Sequence, residues 1–176
     1  MKKFAAIVIT VMVGLGPAIG VLDVSEQTRA TAIELPDEKR AAIVDKCDSI
    51  KGNLVALQHN DSRVRVYLGR RYELLLSNYL TPLNVRLVEN NLSTVGFIEN
   101  QNTFVATRDN FMVDYIEYQK ALEELVGADC AAEPVKFYDK LVAVRAKRKV
   151  VADDVEKLRR LTLNQVELVT KLMGEI

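Results

Sequence analysis

The chain has no tryptophan and a single histidine, His59, among its 176 residues. Those two shortages remove whole classes of chemistry. One imidazole cannot build a His-Glu-x-x-His zinc signature or a histidine-rich metal site. His59 itself falls on the polar face of a helical pattern. Glycine-rich phosphate loops and the Gly-x-Ser-x-Gly nucleophile turn are also missing. The adjacent carboxylates Glu123-Glu124 and Asp153-Asp154 diverge by about 100° on a helix, which is poor geometry for shared acid-base work. No catalytic, cofactor-binding or metal-ligating residue emerges, and the expectation is a protein that is not an enzyme.

Glycine and proline are scarce, at 8 and 4 residues, and the chain is rich in Leu, Val, Ala, Glu, Lys and Arg. Such a composition favours helix over strand, so the expected class is all-α. With 49% hydrophobic and 27% charged residues there is enough apolar material for one folded domain. The 24 basic and 24 acidic residues cancel, so no global charge draws the protein to nucleic acid or to an anionic membrane. Only two cysteines are present, Cys47 and Cys130, and no Cys-x-x-Cys redox arrangement. An even pair reads as a disulfide where the compartment is oxidising.

The N-terminus bears on the compartment. Met1-Lys2-Lys3 is a short positive segment, and Phe4 to Leu15 is an apolar run followed by Gly16-Pro17. That order is the pattern of a secretory signal over residues 1–20, with small residues at Ala18 and Gly20 for cleavage. Ala30-Thr31-Ala32 is a second, more distant match. An uncleaved anchor is the rival, because Phe4 to Leu22 carries no charge and approaches the roughly 20 residues that span a bilayer. Membrane contact is expected only through that segment. Either way the remainder is exported, to the periplasm, the cell surface or the medium. Residues 21–35 read as a linker, and Pro36-Asp37-Glu38 as a helix start.

Three helical stretches follow, expected at about 37–89, 93–126 and 134–175. In the middle one Phe97, Phe104, Phe111, Tyr118 and Leu125 recur every seven residues, with Gln101, Arg108, Tyr115 and Leu122 between them. This is the seam of a helix packed as in a coiled coil. The first stretch repeats Ile50, Leu54, Leu57, Asp61, Val64, Leu68, Arg71 and Leu75, then meets Pro82, where a kink is expected because apolar spacing resumes beyond it. Glu89-Asn90-Asn91 supplies a turn, Ser93 the next cap, and Gly127 the following helix end. The third stretch carries Phe137, Leu141, Val144, Arg148, Val151, Val155 and Leu158. Short connections between long helices imply an elongated antiparallel three-helix bundle.

Chain lengths then test the cysteine pair. At about 1.5 Å per residue, Cys47 to Glu89 rises roughly 63 Å, and Ser93 to Gly127 descends roughly 51 Å. Three extended residues return roughly another 10 Å. Both sulfurs reach one level, so Cys47 and Cys130 are expected to be joined.

The same arithmetic sets Asp61 near Lys120, Arg108 near Asp153 and Asp154, and Arg148 near Asp114. These are either register-setting pairs or long side chains reaching water past the seam. It also gathers a basic belt: Arg63, Arg65, Arg70 and Arg71 beside Lys136, Lys140, Arg145, Lys147 and Lys149. Such a belt holds an acidic envelope polymer, a lipid head group or a partner protein, or is simply solvated. Tyr67, Tyr72, Tyr79, Tyr115, Tyr118 and Tyr138 either line a groove or pack with wet hydroxyls.

Signal segment, Cys47 in a long helix, Cys130 after a helical hairpin and the Gly127 to Pro134 connection together resemble uncharacterised exported coiled-coil proteins of candidate-phylum bacteria. The resemblance implies no activity. The expected function is a non-enzymatic structural or protein-interaction module at the cell envelope, with an unknown protein or envelope component as partner and a homo-oligomer open. The alternative is a periplasmic chaperone-like or ligand-binding helical protein using an exposed apolar or basic groove. Val85, Val88, Val95 and Ile98 discriminate: left exposed they favour binding, and covered they favour scaffolding.

Overall fold

A computed structural model describes residues 35–175, and every regular element among them is helical. The order is α1 (Asp37–Asp45), α2 (Cys47–Leu75), a π-helical turn (Leu76–Leu80), α3 (Thr81–Glu89), α4 (Val95–Val126) and α5 (Pro134–Glu175). The first expected helix is therefore divided rather than continuous. It breaks once at Lys46, whose φ of −105° and ψ of 16° leave the helical region. Ile43 of α1 joins the core around Leu54, Phe137 and Cys130, so the break turns α1's one buried side chain inward. Leu35, at the boundary between linker and bundle, is buried in the same cluster.

Pro82 does not end the helix. The Thr81 N–H donates to the Leu76 carbonyl, five residues back, and α3 carries on beyond it. The proline lacks the N–H of an ordinary turn and crowds the preceding one, and a single wide π turn absorbs the mismatch. At the end of α3, Asn91 takes φ 54°, its N–H donates to Val88 and the Leu92 N–H donates to Leu87. That is a Schellman ending with Asn in the left-handed position, a conformation Asn tolerates. Two expected caps differ. Thr94 rather than Ser93 precedes α4, without a side-chain capping bond, and Gly127 stays right-handed at φ −73°. Beyond it the Asp129 carboxylate accepts from the N–H groups of Ala131 and Ala132, bonds that hold it below the usual carboxylate range and shape the connection to α5.

Helix α4 packs against both the first arm, which runs from α1 to α3 and meets α4 through α2, the π turn and α3, and α5. Its partners descend on either side: Cys130 follows it and bonds to Cys47, with 5.6 Å between Cα atoms. Tyr118 meets Asp61, Phe111 meets Tyr72, and Gln101 meets Asn84. On the α5 side, Asn100 meets Leu161 and Gln165. Both neighbours thus run antiparallel to α4. Its buried stripe is Phe97, Asn100, Phe104, Thr107, Phe111, Tyr115, Tyr118, Leu122 and Leu125. The expected intermediates Tyr115 and Leu122 belong to it, but Gln101 and Arg108 give way to Asn100 and Thr107. The stripe steps sideways near Tyr115 because α4 serves two neighbours and an α-helix does not hold a 3.5-residue repeat without drift. Gly96 marks a close approach at the far end: an added Cβ there would lie 3.3 Å from a methyl carbon of Leu168.

Two clusters form the core. One surrounds the disulfide, with Tyr118, Leu122, Leu125, Phe137 and Val144, and the other joins Tyr72, Leu80, Phe104, Phe111 and Leu158. Tyr72 meets Phe104 and Phe111 edge to face, at centroid separations of 6.0 and 5.7 Å. Among the described residues no Cα of α2 or α3 lies within 8 Å of one in α5. Only α1 reaches across at the disulfide end. Elsewhere α2 and α5 meet through side chains, as at Asp61 and Arg148 and in the cluster of Tyr72 and Leu158, rather than by close backbone approach.

Candidate functional site

The separation leaves two grooves along one seam. The first, about 510 Å³, lies between α2 and α5 over the aromatic side chains of α4. Val64, Leu68, Phe111, Val151 and Val155 give it apolar walls, and Arg65, Arg145, Arg148 and Lys149 give it a basic rim. Antiparallel packing creates this layout: Phe111, Tyr115 and Tyr118 share the inner stripe of α4, while α5 faces the gap first with Arg145, Arg148 and Lys149 and then with Val151, Ala152 and Val155. The second, about 540 Å³, runs between α3 and the last turns of α5, where the π turn presents Asn78 and Tyr79 opposite Val166, Val169 and Met173.

At the disulfide side of the first groove the charges are satisfied. The Tyr118 hydroxyl donates to Asp61 at 2.7 Å, and Arg148 Nε donates to the same oxygen at 2.9 Å. Burial first, then the bond to Asp61, pushes the Tyr118 hydroxyl well above its ordinary value, and the bond to Asp61 raises Arg148. This cluster replaces the Asp61–Lys120 and Arg148–Asp114 pairings expected from height alone. Arg108 likewise pairs with Glu73 and Asp109, not with Asp153 or Asp154.

Further along, polar groups lack partners. The Arg65 guanidinium lies 5.3 Å from the centroid of the Tyr115 ring, and neither Arg65 Nε nor the Tyr115 hydroxyl, both shielded from solvent, has a hydrogen-bond partner. Each such group costs about 1 to 3 kcal/mol. In the second groove Gln165 Nε2 is in the same condition.

The basic belt is dispersed by this arrangement. Arg65, Arg145 and Lys149 meet around the first groove, joined by Arg148. Arg63 sits apart with Asn60 and Tyr67, Arg70 is exposed, and Arg71 donates to the Tyr67 hydroxyl. Lys136 pairs with Glu133, Lys140 with Glu124, Lys147 with Glu117 and Lys149 with Asp153. Arg65 and Arg145 form no ion pair among the described residues. Tyr67 and Tyr79 are exposed, while Tyr72, Tyr115 and Tyr118 are buried in the packing.

One pairing escaped the sequence. Asp154 of α5 meets Asp114 of α4, and burial followed by that neighbour pushes Asp154 up to about 6, with Asp153 adding to the rise and Lys157 opposing it. A carboxylate raised in the folded state favours folding fully below its unfolded value near 4, and that contribution is lost as pH rises through about 6. Asp154→Asn should therefore stabilise the protein at pH 7.5 by about 1 kcal/mol, after allowance for solvent screening of a half-buried group. Urea titrations at pH 7.5 and 4 check this. The gain should vanish at pH 4, and a loss at pH 7.5 would refute it.

Val85, Val88, Val95 and Ile98 are 50%, 59%, 76% and 41% exposed. Among the described residues no three of His, Cys, Asp and Glu gather to hold a metal ion, and no helix is long and apolar enough to cross a membrane. The signal segment lies outside the described residues. Comparison with known proteins finds no family model, no curated protein and no solved structure that matches the chain.

Proposed function

We propose that the chain is an exported, non-enzymatic three-helix bundle, held by one disulfide, that acts at the cell envelope by binding in the seam between its first arm and α5. The open seam carries this reading: α4 buries a continuous stripe, yet the backbones of α2 and α5 do not close over it, and of the four rim cations Arg65 and Arg145 have no ion pair among the described residues. A purely structural bundle would gain by closing that gap over Val64, which is 53% exposed at the groove wall. Export is supported by the signal pattern and by a disulfide, which persists in oxidising compartments. The exposed Val85, Val88, Val95 and Ile98 also favour binding over simple scaffolding.

The test is retention of envelope components on the immobilised full chain, read by mass spectrometry of the eluate. Wild type should retain a component that Arg145→Glu/Lys149→Glu retains at least tenfold less. An unchanged eluate would remove the groove from the reading, and no retained component at all would remove binding.

A further inference from the structure

We propose that two copies of the chain pair through the side of the bundle turned away from α5, the first arm of each lying antiparallel on α4 of the other. This surface is separate from the groove between α2 and α5, and the inference does not depend on what that groove binds.

Helix α4 carries a second seam. With Asn102 and Asp109 among them, Val95, Ile98, Val105, Met112 and Ile116 step alternately by three and four residues, and none of them belongs to the buried stripe. A repeat of this kind is what one helix presents to another. Its direction follows from contacts already described. Asn100 bonds to α5 and Gly96 abuts Leu168, while Ile98 and Ile116 lie about 160° around the helix from both. On the first arm, Val66 is about 140° from Asp61, which meets Arg148, and Val85 is about 160° from Leu83, which lines the groove facing α5. Both arms rest on α5, so these faces lie on one side of the hairpin that the first arm makes with α4.

The face has the size of an interface. Val66 and Ile116 are 65% and 59% exposed, and Val85, Val88, Val95 and Ile98 are exposed beside them. A valine or isoleucine exposed to that degree shows roughly 100 Å², so the six offer roughly 600 Å², the upper end for the largest apolar patch on a monomer. Val105, Met112 and the polar seam residues bring it near the about 800 Å² per partner of a stable interface.

Height along the helices selects a second copy as the partner. Ser62 meets Gln119, Glu73 meets Arg108, and Asn84 meets both Phe97 and Gln101, which fixes how the first arm and α4 are aligned. A two-fold axis parallel to the helices keeps every residue at its height and sets the first arm of one copy over α4 of the other. Val88 then meets Val95 of the other copy, Val85 meets Ile98, and Val66 comes within a turn of Ile116. Charge agrees with this alignment. Glu73, Arg108 and Asp109 form a trio with one carboxylate in excess, and the rotation brings Arg70, which is exposed and has no ion pair among the described residues, within a turn of it. On the disulfide side of Val66, Arg63 arrives within a turn of Lys120 of the other copy, and that like-charged pair ends the contact.

Sedimentation equilibrium of the full chain tests the pairing. At about 10 µM the wild type should have twice the mass of one chain. Ile98→Glu/Ile116→Glu, at positions exposed in the single copy, should raise the dissociation constant at least a hundredfold and leave the circular dichroism unchanged. Arg70→Glu, outside the apolar seam, should raise it about tenfold. Chains carrying Val88→Cys mixed with chains carrying Val95→Cys should form a covalent pair under mild oxidation faster than either variant alone. A wild type that stays monomeric at about 100 µM, or a dimer unmoved by both sets of charge substitutions, overturns the proposal. Cross-linking no faster in the mixture overturns the two-fold arrangement. Arg145→Glu/Lys149→Glu should leave the dimer intact, so that failure here and failure of groove binding are read separately.

Discussion

Cys47→Ala/Cys130→Ala should unfold with a free energy about 4 to 5 kcal/mol below that of the oxidised wild type in urea titration. The cysteines are 83 residues apart in sequence, so the bridge removes a large loop-closure entropy from the unfolded chain. Replacing both avoids leaving one buried thiol, since Cys130 is wholly buried beside Leu122, Leu125 and Phe137. A domain of this kind has about 5 to 15 kcal/mol in total, so the loss is a large share of it. Reduced wild type should match the double variant. The slope against urea should steepen in both, because the uncrosslinked unfolded chain exposes more surface. The effect should also be local: α1, whose Ile43 depends on the cluster around Cys130, should lose amide protection before α4 does. Equal stability of oxidised and reduced protein would show that the bridge forms without constraining the fold.

The sequence disclosed the helical class and the disulfide because both follow from one-dimensional quantities. Phenylalanines seven apart define a stripe whatever surrounds it, and rise per residue brings Cys130 level with Cys47. Charge partners were less legible for a physical reason. Chain length fixes height along a helix but not the side from which a neighbour approaches, and residues at one height are spread around the whole circumference. Asp61 therefore meets Arg148 and Tyr118 instead of Lys120, Arg108 turns to Glu73 on α2, and Asp114 faces a second carboxylate. The groove was hidden similarly. Arg65, Arg145 and Lys149 could be named as basic, but a heptad seam suggests three mutually touching helices. Here the bulky Phe104, Phe111, Tyr115 and Tyr118 of α4 fill the centre, and α2 and α5 meet over them only through side chains such as Asp61 and Arg148. The polar layer of Asn100, Asn164 and Gln165 was unreadable for the opposite reason, since nothing in their composition distinguishes them from a solvated helix face until they meet.

Phe111→Ala should cost about 3 to 5 kcal/mol, comparable to losing the disulfide but by a different mechanism. Phe111 is 1% exposed and joins Tyr72, Phe104 and Leu158, so truncation removes buried apolar surface and leaves a cavity under the first groove. Tyr72 cannot collapse into that space easily, because it remains packed edge to face against Phe104. Part of the loss should belong to the ring pair of Tyr72 and Phe111. The cycle of Phe111→Ala, Tyr72→Ala and the double variant should return a coupling of about 0.5 to 1.5 kcal/mol. Phe111→Leu, which keeps most of the volume, should cost less than half as much as Phe111→Ala. Val113→Ala on the same helix should change stability by no more than about 0.5 kcal/mol, because Val113 is 58% exposed. If Phe111→Ala and Val113→Ala proved equally mild, the aromatic stripe of α4 would not be the core that holds the two flanking arms in place, and the groove between them would lose its floor.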